Sequence, residues 1–132
     1  MITLDTSALV TLANRLDPDF VQVQDALYAE PLPWLIPAGI LGELGYMLVE
    51  RLGDHALRAF LSDMQGVYML DCGENDFPRI MTLVDRYNNL PLGFADAAVI
   101  ACAERNGGRT LAVDKHFFIV AGEGTIAVQP GM

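Results

Sequence analysis

Short apolar runs of β character at residues 2–4, 34–36, 68–70 and 110–113, with a weaker one at 125–128, alternate with stretches of helical periodicity. This alternation restricts the fold more than any other feature of the chain. Strands joined through helices run parallel, and a parallel sheet is covered by helices on both faces. The pattern therefore predicts an α/β three-layer sandwich with a central parallel sheet of four to five strands. In open sheets of this kind, ligands sit beyond the carboxyl ends of the strands.

The intervening stretches carry their own start and stop signals. Asp5-Thr6-Ser7 suits a helix start, and Leu9, Leu12, Ala13 and Leu16 follow at helical spacing until Asp17-Pro18. Phe20, Val23 and Leu27 mark a second helix. Pro37 fits the first turn of a third, running to about residue 52. Gly39, Gly42 and Gly45 each cost that helix about 1 kcal/mol relative to alanine, so close backbone packing is expected to compensate. Further helices are read at 56–65 and 77–87, the latter closed by Asn88-Asn89 and Pro91. Gly93 opens another through about residue 105, ended by Asn106-Gly107-Gly108. With 132 residues, 52% of them hydrophobic, and no linker or repeat, the chain reads as one domain over 1–132.

Seventeen acidic against eight basic side chains give a net charge of −9. Sequence-independent nucleic-acid binding depends on Lys and Arg neutralising phosphates, so this balance argues against it. It favours cation binding, a basic protein partner, or solubility alone. No signal peptide is visible, and residues 31–42, the longest uncharged stretch, hold three prolines and are too short to span a bilayer. Cys72 and Cys102 lack metal-type spacing and read as small buried side chains. A cytoplasmic protein without membrane association is expected.

Two aspartates fall where such folds put their sites, and a third opens a helix. Asp5 follows the first strand, Asp114 the fourth, and Asp96 lies in the first turn of a helix whose next seven residues are uncharged and mostly small. Each also has a structural reading: Asp5 as a cap, Asp96 as a complement to the helix dipole, Asp114 as the start of a turn. Glu43 shares a helix face with Ile40 and Met47, where an ionised group is costly unless paired or bound to metal. Glu50 is its rival on nearly the same face. Glu43, however, lies about 9 Å along the helix from Pro37 and Glu50 about 20 Å, which puts Glu43 nearer the strand ends. Four converging carboxylates would raise one another's pKa values, whereas two Mg²⁺ or Mn²⁺ ions would cancel their charge. Two such ions clamp a phosphodiester undergoing in-line displacement, and metal-activated water then suffices as nucleophile.

Ile2-Thr3-Leu4-Asp5-Thr6-Ser7-Ala8, Gly42-Glu43-Leu44, Phe94-Ala95-Asp96-Ala97 and Leu111-Ala112-Val113-Asp114-Lys115-His116-Phe117 occur in the order and separation of the PIN-domain nucleases. The chain resembles that family over nearly its whole length, and especially the VapC-type toxins of toxin–antitoxin pairs. The resemblance implies a PIN-like sandwich and a metal-dependent endoribonuclease, with Asp5, Glu43, Asp96 and Asp114 as ligands of Mg²⁺ or Mn²⁺. It also implies an assisting hydroxyl near the first acid, Ser7 rather than Thr6. RNA as substrate, a homodimer, and a cognate antitoxin occupying the acidic cleft are further implications. Ala112 departs from the pattern, since many relatives carry a hydroxyl residue there, which bears on a secondary contact and not on the metal site.

Two other readings are a non-catalytic interaction module of the same fold and an RNA-processing nuclease outside a toxin–antitoxin pair. Phosphoryl chemistry on Asp5, as in response receivers or haloacid-dehalogenase-type phosphatases, lacks its acidic neighbours: Leu4 and Thr6 flank Asp5, and Ser7 stands two positions on. His55 reads as surface; His116 could touch substrate and Lys115 and Arg109 could meet RNA phosphates, but local packing for the first and solvated surface for the other two are their first readings. Asp71, Glu74 and Asp76 read as turn chemistry, and Trp34, Phe117 and Phe118 as core or dimer packing.

Overall fold

The computed structural model describes residues 1–90, 92–121 and 123–131; Pro91, expected to close a helix, lies outside them. Five strands form one sheet in the order β3-β2-β1-β4-β5, and every neighbouring pair is parallel. They are β1 (Ile2–Leu4), β2 (Trp34–Pro37), β3 (Tyr68–Asp71), β4 (Arg109–Leu111) and β5 (Ala127–Gln129). Seven α-helices connect and cover them: α1 (Thr6–Leu12), α2 (Phe20–Tyr28), α3 (Leu41–Leu52), α4 (Asp54–Met64), α5 (Phe77–Arg86), α6 (Phe94–Arg105) and α7 (Lys115–Ala121). This is the α/β sandwich that the alternating pattern predicts. β1 and β4 are hydrogen-bonded neighbours near the middle of the sheet, so the segments leaving their carboxyl ends start side by side.

The core is one cluster that includes Ile2, Leu4, Ile36, Ile40, Leu44, Leu48, Val99, Ile100, Leu111 and Phe117, all at most 1% exposed. Helix α6 is the central helix: Ala97 through Ala103 are all buried, which explains its run of small uncharged residues. Small side chains let it lie close to its neighbours, and Gly39 shows how close. A Cβ added there would stand 2.7 Å from the Ala98 Cβ. The expected compensation for three glycines therefore holds for Gly39. It does not hold for Gly42, with open space around it, nor for Gly45, whose nearest neighbour is in ordinary contact.

Several expectations are corrected. Helix α1 stops at Leu12, because Asn14 accepts a hydrogen bond from the Leu16 N–H and turns the chain out; Leu16 is 91% exposed. Pro37 ends β2, and a 3-10 turn at Ala38–Ile40 separates it from α3. Strand β4 ends at Leu111, so Asp114 stands three residues beyond it, immediately before α7, a helix the apolar pattern did not announce. Cys72 is exposed, whereas Cys102 is buried. Among the described residues, no helix is long and apolar enough to cross a membrane.

Candidate metal centre

Asp5 is the first residue after β1 and caps α1, accepting from the Ser7 N–H at 3.1 Å. The Ser7 hydroxyl donates to the same Asp5 oxygen, Oδ2, at 2.6 Å, and accepts from the Val113 N–H at 3.1 Å. One serine thus ties the end of β1 to the segment that follows β4. The other oxygen, Asp5 Oδ1, is buried and has no partner among the described residues. A carboxylate only 2% exposed is costly when half its acceptor capacity is unused.

Asp5 lines a cleft of about 380 Å³ together with Ser7, Glu43, Asp96 and Asp114. The structure brings all five predicted site residues to this one cleft. Asp96 is in the first turn of α6. Asp114 accepts the His116 N–H on Oδ1 at 2.9 Å, so it caps the start of α7 much as Asp5 caps α1. The structural roles read for the three aspartates are real and coexist with their convergence. Asp96, Asp114 and His116 each offer a ligand atom, and these atoms lie within 4.8 Å of one another.

Glu43 reaches the cleft for a different reason from the one its spacing suggested. It is in the first turn of α3 and exposed, while Ile40, Leu44 and Leu48 form the buried stripe. No desolvation cost attaches to it. Glu50, the rival, does not line the cleft.

The acids strain one another electrostatically. Burial pushes the Asp5 carboxyl up to about 6, and the charge of Asp96 adds to this, against the lowering effect of the Ser7 hydrogen bonds. Asp96 is also pushed up to about 6, first by burial and then by the charges of Asp114 and Glu43; a Gly93 backbone contact and His116 oppose the rise. An unpartnered buried carboxylate oxygen, repelling neighbours and an all-oxygen set with one adjacent imidazole fit hard divalent cations.

Sequence reading did not single out Asp17, Asp19 or Arg51, which also line the cleft. Arg51 is two helical turns beyond Glu43, a spacing that would have flagged it once Glu43 was taken as a site residue. Most other arginines are engaged elsewhere. Arg109 pairs with Glu30, Arg79 with Glu104, Arg86 with Glu123, and Arg105 grips both Asp71 and the buried Asp76. The acidic group around the end of β3 is therefore an arginine clamp, and Arg109 is not free for phosphate. Phe117 is fully buried, and Trp34 stacks on Tyr28 with centroids 5.9 Å apart.

Comparison with known proteins gives concordant results. The PIN domain family matches residues 2–123. Ribonuclease VapC26 of Mycobacterium tuberculosis is 28% identical over 118 residues, covering 87% of either protein. A crystal structure of VapC20 from the same organism, described as a sarcin–ricin loop cleaving toxin, superimposes with a TM-score of 0.80. That match covers 91% of this chain and 95% of the other, and at 22% identity it bears on the fold.

Proposed function

This chain belongs to the PIN-domain family, and from that premise we propose that it is an endoribonuclease using Mg²⁺ or Mn²⁺ held on Asp5, Glu43, Asp96 and Asp114. The observation that carries the reading is Asp5: a buried carboxylate with one unpartnered oxygen, in the same cleft as three other acids. A divalent cation there supplies positive charge for a phosphodiester and acidifies water. The chain's own residues do the rest. Ser7 acts as a positioning residue, fixing Asp5 Oδ2 through its hydroxyl and leaving Oδ1 unpartnered. Asp96 and Asp114 present their carboxylates from two helix starts. Glu43 contributes from the exposed side. Arg51, the single basic residue lining the cleft among those described, is positioned to meet an RNA phosphate.

The relatives' names, a ribonuclease and an RNA-loop cleaving toxin, support a toxin role, with a cognate antitoxin as inhibitor. A basic antitoxin side chain entering this acidic cleft would satisfy charges that otherwise repel. Exposed Phe77, Met81 and Phe94 around α5 support a homodimer, because an apolar groove of that kind is stabilised by burial against a second copy. The whole chain acts as one domain in the cytoplasm. The test is cleavage of RNA with Mg²⁺ or Mn²⁺ by Asp5→Asn and Asp96→Asn variants whose circular dichroism is unchanged. Loss of cleavage in both is expected, and retained cleavage in both refutes the assignment.

A further inference from the structure

His116 is the second residue of α7, and in sequence it reads first as local packing. Its backbone N–H donates to Asp114 Oδ1 at 2.9 Å, and its ring Nδ1 lies 3.3 Å from that same oxygen. The ring is therefore turned toward the cleft acids. One ring nitrogen of His116, with one oxygen each of Asp96 and Asp114, forms a set no wider than 4.8 Å. In octahedral coordination at about 2.1 Å, adjacent ligand atoms are about 3 Å apart and opposite ones about 4 Å. The observed spacing suits three ligands on one ion after small side-chain adjustment. A second observation points the same way: Asp5, 2% exposed and with its Oδ1 unpartnered, lines the same cleft as Asp96 and Asp114.

We propose that His116 is a nitrogen ligand of a divalent cation shared with Asp96 and Asp114, and that it biases the site toward Mn²⁺ over Mg²⁺. The inference rests on the cation-dependent nuclease reading and goes beyond it by adding a ligand and a preference. Imidazole suits first-row transition ions, whereas Mg²⁺ favours oxygen donors and keeps its water. Four carboxylates alone would hold either ion. One nitrogen in the set separates them.

The test titrates metal-free protein with MnCl₂ and with MgCl₂ by calorimetry, and records pulsed electron paramagnetic resonance of the Mn²⁺ complex. The chain's other histidine, His55, lines a separate apolar cleft with Leu9, Leu48 and Phe60, so an imidazole nitrogen signal is assignable. Wild-type protein is expected to show nitrogen coupling to Mn²⁺. His116→Gln keeps the backbone N–H that binds Asp114; it should lose the coupling and weaken Mn²⁺ by about tenfold or more, with Mg²⁺ changed less than about threefold. Mn²⁺ binding to wild type without nitrogen coupling, or equal weakening of both ions, overturns the proposal and leaves the carboxylate nuclease intact. Failure of wild type to bind either ion at millimolar concentration overturns that nuclease reading as well.

Discussion

Replacing Asp5 with Asn should make the metal-free protein more stable while destroying its function. The carboxyl is 2% exposed, and its pKa rises from 3.8 in the unfolded chain to about 6 in the fold, chiefly through burial. A raised acid favours the folded state only while protonated. Its contribution is complete below 3.8, declines as pH climbs, and is gone above about 6. A shift of about two units corresponds to about 3 kcal/mol. Asn is neutral, has nearly the same shape, and keeps an oxygen for the Ser7 N–H and hydroxyl. Urea denaturation with a chelator present should therefore show equal stability of the two proteins near pH 3.5. Asp5→Asn should lead by up to about 3 kcal/mol at pH 7.5. Added Mn²⁺ should close the gap and then reverse the order, since a cation stabilises by about 2.7 kcal/mol at 100 times its Kd and by about 4.1 kcal/mol at 1,000 times, and the variant cannot use it. A variant less stable than wild type in chelator at pH 7.5, or a difference independent of pH, would refute the reasoning.

Two further perturbations probe how the cleft is held and how it meets RNA. Gly39→Val forces a side chain into Ala98 and should cost about 2–3 kcal/mol, read as a lowered urea midpoint, with weaker Mn²⁺ binding because α3 and α6 carry Glu43 and Asp96. Arg51→Ala should raise KM for RNA severalfold with unchanged Mn²⁺ affinity, whereas Arg109→Ala, whose side chain is engaged by Glu30, should leave KM alone.

The strand-and-helix alternation was enough to read the sheet, because period and turn chemistry are local properties. Helix α7 escaped because 115–121 is short and nearly continuous in apolar character, so its helical period is masked; it is stabilised by burial of Phe117 and Val120 and by the Asp114 cap. Convergence of Asp5, Asp96 and Asp114 was legible from their places at strand and helix ends. The state of Glu43 was not, since neighbours on its own helix say nothing about which side the cleft opens. Arg51 was missed, and His116 read first as local packing, for a related reason: their places depend on what lies across the cleft, and sequence spacing carries no such information. Likewise Arg109 could have met phosphate until its distant acidic partner, Glu30, was located.

The position of β4 between β1 and β5 has a consequence in time. Asp114 is fixed by a segment that follows β4, hangs from Ser7 through the Val113 N–H, and is braced by a helix leading into the last strand. During synthesis, Asp5 and Glu43 emerge early and wait. The pocket gains Asp114, the last of these acids in chain order, only when β4 has been made and has docked beside β1. A chain stopped before residue 114 therefore carries three of the cleft's four predicted acids and lacks the fourth.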